Sequence, residues 1–266
     1  MSARILLLDI ETAPITAHVW GLRDQFVSLN QIRSQPRVIG FGAKWYGEKG
    51  AVKFYSEYHG DRPGTEAKHH DMVAKAWELL NDADLVVHYN GTSFDIPHLN
   101  SEFAQAGHSP PAPFKNIDLY RVARRAFRLP SYKLEYVSRW LGIGGKLPHT
   151  GHQLWVDCLE GDDAQKAKAW KLMARYCKQD VALLGPLYEA LRPWMGNHPN
   201  LALYAAPEGD RLRSCPTCGS PRLQSRGWQE TTTRRYPRFQ CQACGAWTRG
   251  TASDREATVD LTGVVR

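Results

Sequence analysis

Two carboxylates that follow an apolar run are the first sign of chemistry in this sequence. The stretch from Ile5 to Leu8 reads as a buried β-strand, and Asp9 and Glu11 come directly after it. Because alternate residues of a strand share a face, both acids continue a face that begins as core. Such like charges repel and raise each other's pKa unless a cation is present. The pattern therefore raises the question of which other groups meet at this point.

Two further segments contain acidic residues that could lie close to Asp9 and Glu11 in the fold. Asp95 closes the stretch that starts at His88, after a short apolar strand and before a helix. Asp180 lies late in the domain on a predicted helix, four residues after Tyr176, so the phenol and the carboxylate share one helix face. With the first pair, these acids form a set of four hard oxygen ligands.

Four clustered carboxylates are typical of a site for Mg²⁺ or Mn²⁺. Two such ions, about 3.5–4 Å apart, can clamp the attacking and leaving oxygens of a phosphodiester. In that arrangement Tyr176 would orient the attacking water and help to remove its proton. The residues and their spacing thus predict phosphodiester hydrolysis, without indicating the nucleic acid or the direction of cleavage.

Four cysteines near the end of the chain form two Cys-x₂-Cys pairs with 22 residues between them, each followed by glycine. They are Cys215 and Cys218, then Cys241 and Cys244. Two such turns supply the tetrahedral thiolate set of a structural Zn²⁺ site, whereas two disulfides are disfavoured in an intracellular chain. The remaining cysteines, Cys158 and Cys177, are expected to be buried structural thiols.

The positive charge is concentrated around these cysteines. Between residues 211 and 250 the chain has eight arginines, no lysine and one acid, Glu230, which accounts for the whole formal charge of +7. Aromatic residues such as Trp228 and Trp247 lie among the arginines. A solvated charged surface is the simpler interpretation, but this composition favours contact with nucleic acid.

The elements that position these residues alternate between strands and helices, which predicts an α/β fold with a mixed sheet. Strands are predicted over 3–9, 38–46, 52–55 and 85–89. Helices are predicted over 66–82, 97–106, 118–129, 134–141, 163–176 and 179–191. The domain bounds that follow are 1–195 for the α/β domain, 196–210 for a linker, 211–250 for the zinc module and 251–266 for a tail.

Some polar residues are assigned no chemistry. Asp118 opens a predicted helix and is expected to be its N-cap rather than a metal ligand. The histidines His69, His70, His149 and His152 are expected to be surface groups, because no further partner accompanies them at ligand spacing.

The sequence also indicates the cellular compartment in which the protein is expected. It has no run of 18 apolar residues, and its N-terminus lacks the pattern of a secretory signal. We therefore expect an intracellular, cytoplasmic protein with no membrane partner.

Taken in order, these motifs resemble the DEDD superfamily of 3′–5′ exonucleases, which have a ribonuclease H-like (DnaQ-like) fold. Asp9 with Glu11, then Asp95, then Tyr176 with Asp180 match its three motifs, and the Tyr-x₃-Asp form is that of the DEDDy branch. More narrowly, the chain looks like phage-encoded exonucleases, several of which carry a C-terminal zinc ribbon. The stretches that carry this resemblance are DIETAP, HVWGLRDQF, KWYGEK, YNGTSFDIPHL, SYKLEYVSRWLGIGGK and YCKQDV.

The resemblance implies a role for each matched position. Asp9, Glu11 and Asp180 would hold the more tightly bound metal. Asp9 would bridge to a second metal, and Asp95 would act mainly through the waters of that ion. Tyr176 would position the nucleophile.

It also implies contacts to the substrate. Thr12, Asn90 and Phe94 would contact the terminal nucleotide. Lys133 and Lys146 could reach phosphates, although solvated loop lysines are nearly as good an interpretation.

The function implied is a 3′–5′ exonuclease acting on DNA, at single-stranded or frayed 3′ ends, in phage DNA replication, repair or degradation. A polymerase is a candidate partner in trans, and a phage enzyme would work in the host cytoplasm. Two alternatives stay open. One is a ribonuclease or structure-specific endonuclease on the same fold. The other is a non-catalytic adaptor that binds nucleic acid or recruits a polymerase, which would not need the complete acidic set.

Overall fold

A computed structural model gives the fold of the chain. It describes residues 3–21, 23, 26–58, 66–145, 147, 151–205 and 213–254. Two compact units are divided between Leu187 and Tyr188. The predicted substrate-binding residue Lys146 lies outside the described residues, as do His149 and most of the predicted tail.

The first unit is built on a mixed five-stranded sheet. In spatial order its strands are β5 (Lys53–Ser56), β4 (Arg37–Trp45), β1 (Ile5–Ala13), β6 (Leu85–His88) and β7 (Lys115–Asp118). The central strand β1 pairs antiparallel with β4 and parallel with β6. A separate hairpin joins β2 (Thr16–Ala17) to β3 (Ile32–Ser34). The sequence pattern predicts neither this hairpin, whose strands have two and three residues, nor β7, which has only two buried residues.

Helices flank this sheet, so the predicted α/β class with a mixed sheet is confirmed. They are α1 (Glu66–Asn81), α2 (Asp95–Gln105), α3 (Leu119–Ala126), α4 (Leu134–Trp140), α5 (His152–Glu160) and α6 (Asp163–Leu191), with a 3₁₀ turn at Leu29–Gln31.

The predicted helices need correction in three places. The helix α6 is continuous where the sequence suggested two helices, because the residues between Tyr176 and Gln179 contain no helix breaker. The helix α2 begins two residues before Pro97, which is tolerated in a first helical turn. The helix α5 is absent from the sequence-based assignment, which treated the segment after the glycine-rich loop as irregular.

Alternate residues of β1 pack on opposite faces of the sheet. Leu6, Leu8 and Ile10 join a core with buried residues of α1 and α2. Ala13 belongs to the core on the other face, which includes Met173 of α6. The two-residue period of a strand therefore turns Asp9 and Glu11 towards the α6 side of the sheet.

One histidine departs from its expected place on the surface. The side chain of His69 on α1 is only 25% exposed and lies between two carboxylates, 2.9 Å from Glu102 and 3.2 Å from Glu57. Arg37 pairs with the same Glu57 at 2.7 Å. The hydrogen bonds to Glu102 and Glu57 raise the pKa of His69 to about 9. His69 thus joins α1 to α2 and to the end of β5 as a cation, an arrangement made by residues distant in sequence.

The second unit contains a 3₁₀ turn at Arg192–Trp194, the short helix α7 (Ala202–Ala205) and an antiparallel three-stranded sheet. The strands of this sheet are, in spatial order, β10 (Trp247–Arg249), β9 (Arg235–Cys241) and β8 (Leu223–Glu230). Across the described part of the chain, the helices are too short or too polar to cross a membrane.

Candidate active site

Asp9 and Glu11 lie where β1 extends beyond the end of its pairing with β6. The parallel pairing of β1 with β6 ends at Leu7, whereas the antiparallel pairing with β4 continues through Asp9 and Glu11. Asp9 is half-buried, and Glu11 is 5% exposed. One flank of the strand is therefore open at the carboxylates, and groups from other segments can reach it.

Asp95 occupies that open flank. Its carboxylate oxygen Oδ1 accepts a hydrogen bond from the backbone amide of Ile10, the residue between the two acids, over 3.2 Å. Burial raises the pKa of Asp95 to about 7, and the nearby charge of Asp118 acts in the same direction. The second predicted segment thus meets the first, at a position where a further positive charge would stabilise the ionised carboxylate.

The segment with Tyr176 and Asp180 lies on α6, which approaches β4 closely because residue 42 of that strand is a glycine. Gly42 of β4 pairs with Asp9, and a Cβ atom at Gly42 would lie 2.8 Å from Cγ2 of Val181 and 3.0 Å from Sγ of Cys177. Only a residue without a side chain allows this approach. Sγ of Cys177 lies 3.7 Å from the backbone oxygen of Asp9 and 3.9 Å from its Oδ2. The Tyr-x₃-Asp motif is therefore carried on the turn of α6 that packs on the acidic end of β1.

The pKa of Cys177 reflects the acidic residues around it. Burial raises its pKa well above the ordinary value, and the charges of Asp9, Glu11 and Asp180 add to the effect. Asp180 is 2% exposed, so three acids from two elements act on one buried thiol. Cys158 is also buried, and both cysteines are free thiols, as expected.

The donor set fits a hard divalent cation. Ligand atoms of Asp9, Glu11 and Cys177 lie within 4.8 Å of one another. Since Cys177 stays protonated, its sulfur is a poor ligand, and the carboxylate oxygens are the donors that Mg²⁺ or Mn²⁺ prefers. Asp95 and Asp180 are not members of this group: Asp95 reaches β1 through the amide of Ile10, and the charge of Asp180 acts on Cys177.

Tyr176 is almost buried, with 9% of its surface exposed. Its ring meets the ring of Trp155 on α5 edge to face, with centroids 6.3 Å apart. The helix α5 therefore packs against the ring of Tyr176, a contact that the sequence pattern does not reveal.

Asp118 has a wider role than the expected N-cap. Its carboxylate accepts the amide of Arg121 at the start of α3, which confirms the cap. It also accepts the amides of Asn90 at 3.0 Å and Thr92 at 3.3 Å. Asn90 has a positive φ of 67°, a conformation that needs such support. Asp118 thus fixes the turn that leads to Asp95.

The predicted substrate-binding residues are spread around the site. Asn90 and Lys133 line a cleft of about 590 Å³ that also includes Asp9. Thr12 is half-buried on β1. Phe94, which precedes α2, is 41% exposed and packs edge to face against His98.

Three tyrosines that the sequence reasoning did not single out line the same cleft: Tyr89, Tyr120 and Tyr132. The rings of Tyr89 and Tyr120 are 5.8 Å apart, and those of Tyr120 and Tyr132 are 6.4 Å apart, both edge to face. The guanidinium group of Arg124 lies 5.7 Å from both Tyr120 and Tyr132. The aromatic residues in the segments 89–94 and 120–132 were the available signal, but only the fold brings them together.

The four cysteines of the second unit form one cluster, compatible with a zinc ribbon. Their ligand atoms lie within 4.8 Å of one another. The sulfur of Cys215 is 3.8 Å from that of Cys244, and the sulfur of Cys218 is 3.6 Å from that of Cys241. Zn–S bonds of about 2.3 Å at the tetrahedral angle separate sulfurs by about 3.8 Å, so the spacing fits Zn²⁺.

Backbone amides close the turns around these cysteines. The amides of Gly219 and Gly245 close each turn, and both glycines have positive φ, near 75°. Burial opposes ionisation of Cys241, but hydrogen bonds from backbone amides outweigh it and lower the pKa to about 7. Burial raises the pKa of Cys218 and of Cys244, so Cys241 is the most readily ionised of these three thiols.

Comparison with known families gives one match. A family model described as RNase_H_2, of the RNase_H superfamily, matches residues 31–192. This range includes Asp95, Tyr176 and Asp180, and it begins after Asp9 and Glu11. A comparison with curated proteins finds no match.

Proposed function

The chain belongs to the ribonuclease H superfamily, whose members are usually nucleases, and on this premise we propose that it is a metal-dependent 3′–5′ exonuclease acting on DNA. The observation that carries the proposal is the meeting of three acidic segments at the end of β1. Asp95 bonds to the amide between Asp9 and Glu11, and the charge of Asp180 acts on Cys177, whose sulfur contacts Asp9.

Two Mg²⁺ or Mn²⁺ ions would be held by Asp9, Glu11, Asp95 and Asp180. When bound, they would supply a lowered pKa for an attacking water and a positive charge for the leaving oxygen. The protein's contribution is to fix the carboxylates. Glu11, Asp95 and Asp180 are each no more than 5% exposed, so their packing limits movement.

Tyr176 acts on the attacking water in this proposal. It shares a helix face with Asp180, four residues later, so its phenol is directed to the same side as the acids. The ring of Trp155 packs edge to face against that of Tyr176 and supports this orientation. Tyr176 would accept a hydrogen bond from the water and hold it in line with the phosphorus atom.

The residues that line the cleft beside Asp9 are suited to a single-stranded substrate. Its tyrosine rings can stack on unpaired bases, and Lys133 can reach a phosphate. In a duplex, stacking of the neighbouring base pairs covers the flat faces of the bases. The strand therefore has to be unpaired at its end before it enters, which fits cleavage at single-stranded or frayed 3′ ends.

The test is cleavage of a short DNA strand labelled at its 5′ end, with Mg²⁺ or Mn²⁺. The expected result is a ladder that shortens from the 3′ end with release of mononucleotides. Asp9→Ala and Asp180→Ala should abolish the ladder, whereas Glu78→Gln, which changes an exposed acid on α1, should leave it intact.

Two substrates separate this proposal from its rivals. Efficient cutting of a closed circular single strand would contradict an exonuclease. Faster degradation of RNA than of DNA of equal sequence would indicate a ribonuclease. Binding of DNA without cleavage under any metal would indicate an adaptor.

A further inference from the structure

The two faces of the ribbon sheet differ in charge. Strand register assigns the side chains to faces, because residues directly opposite each other point the same way. One face, here called the arginine face, comprises Gln224, Gln229, Tyr236, Arg238, Gln240, Trp247 and Arg249. The other, the cysteine face, comprises Leu223, Ser225, Trp228, Glu230, Arg235, Pro237, Phe239, Cys241 and Thr248.

Two arginines oppose each other on the arginine face. Arg238 of β9 is the direct register partner of Arg249 on β10. Such like-charged pairs destabilise a sheet. Within residues 213–254, no acidic side chain forms an ion pair with either arginine. The face therefore holds two adjacent positive charges that a bound anion would relieve.

Each of these arginines lies against an aromatic ring. Arg238 is 5.1 Å from the centre of the Trp247 ring, and Arg249 is 4.2 Å from that of Tyr236. Arg238 also donates two hydrogen bonds to the backbone oxygen of Arg226, at 3.0 and 3.1 Å. The guanidinium groups are thus held in place, and the side chain of Trp247 is 53% exposed.

The cysteine face has a similar pair, but its charge is neutralised. Arg235 lies 4.7 Å from the centre of the Trp228 ring. The same arginine forms an ion pair with Asp254 at 2.6 Å and lies opposite Glu230 in the register. This face lacks the uncompensated charge and supplies a matched control.

We propose that the arginine face binds a single strand of DNA, with phosphate between Arg238 and Arg249 and a base stacked on Trp247. Positive charge beside exposed aromatic rings is the combination by which proteins hold unpaired strands without regard to sequence. The three glutamines of this face offer donors and acceptors to the base edges. The choice of DNA rests on the proposed function, but the binding mode follows from the ribbon itself.

The test uses the full chain with Asp9→Ala, so that binding is measured without cleavage. Fluorescence anisotropy of labelled oligothymidine gives the affinity. Adding Trp247→Ala should weaken binding about tenfold, whereas adding Trp228→Ala should change it by less than about twofold. Arg238→Gln with Arg249→Gln should reduce the slope of log affinity against log salt by ~1.4, and Trp247→Ala should leave this slope unchanged.

Bound zinc is measured in every variant, to establish that the ribbon is folded. If Trp247→Ala loses zinc, Trp247→Phe, which keeps a ring, is compared with wild type and should bind DNA nearly as well. Equal effects of Trp247→Ala and Trp228→Ala in zinc-loaded protein would overturn the proposal. So would an unchanged salt slope, or an equal loss of affinity for duplex DNA. Absence of nuclease activity in the wild type would refute the proposed function and leave this binding result unaffected.

Discussion

The carboxylate of Asp95 accepts the backbone amide of Ile10 over 3.2 Å, and this hydrogen bond ties the first turn of α2 to the middle of the acidic segment of β1. In the proposed site Asp95 therefore has two separable roles, one as the hydrogen-bond acceptor seen in the structure and one as a negative charge that would help to hold metal ions.

Substitution at this position should separate the two roles. Asp95→Asn keeps an oxygen acceptor and removes the charge, so it should lower the cleavage rate about 100-fold or more with little loss of stability. Asp95→Ala leaves a buried amide without its acceptor and should lower the free energy of unfolding by about 1–3 kcal/mol as well. Rates of DNA cleavage and urea unfolding check both. Equal destabilisation by the two substitutions would contradict this division.

Gly42→Ala should disturb the packing of α6 against the sheet, next to the acidic residues. The added methyl group would lie 2.8 Å from Val181 and 3.0 Å from Cys177, so α6 has to move away from β1. We expect a loss of about 1–3 kcal/mol in unfolding free energy, together with a lower cleavage rate. Gly196→Ala is the control, since a Cβ atom there meets nothing within 4 Å. A fully active Gly42→Ala protein would show that the close approach of α6 is not needed.

The stability of the first unit should depend on pH through His69. Because its folded pKa of about 9 lies above the unfolded value of 6.5, its contribution is complete below pH 6.5 and is lost as the pH rises through 9. Thermal unfolding of wild type and His69→Gln should therefore differ by up to about 3 kcal/mol near pH 6 and converge near pH 10.

His70→Gln, which changes the neighbouring exposed histidine, should follow the wild type at every pH. A constant difference between wild type and His69→Gln from pH 6 to 10 would mean that His69 contributes through packing alone.

Removal of a predicted zinc ligand should unfold the ribbon. Cys218→Ser should reduce bound zinc from one per chain to a small fraction, because the metal supplies most of the folding energy of such modules. Cys158→Ala, which changes a buried free thiol outside the cluster, should keep its zinc. Metal analysis after gel filtration distinguishes these outcomes, and full zinc content in Cys218→Ser would contradict the four-cysteine site.

Local patterns were enough to find the acidic segments and the cysteine pairs. An apolar run that ends in Asp9 and Glu11 carries its own signal, as does the four-residue step from Tyr176 to Asp180. The strand β7 has only two buried residues and no alternation to detect. The buried position of His69 and the second role of Asp118 depend on partners distant in sequence, which no local window contains.

The same limit applies to Gly42. In sequence it is an ordinary strand glycine, and only the packing of α6 shows why a larger residue would not fit. The three tyrosines of the cleft likewise come from separate loops and helices. Properties of neighbouring residues thus predicted which groups could react, while the supports of those groups emerged from tertiary contacts.

The contact between Cys177 and Asp9 spans 168 positions of the chain. During synthesis Asp9 leaves the ribosome early, and the segment with Asp180 follows only after most of the first unit has been made. A nascent or prematurely terminated chain that lacks α6 has an incomplete ligand set. If the proposed function holds, an unfinished copy that lacks Tyr176 and Asp180 should not cleave nucleic acid before α6 has docked.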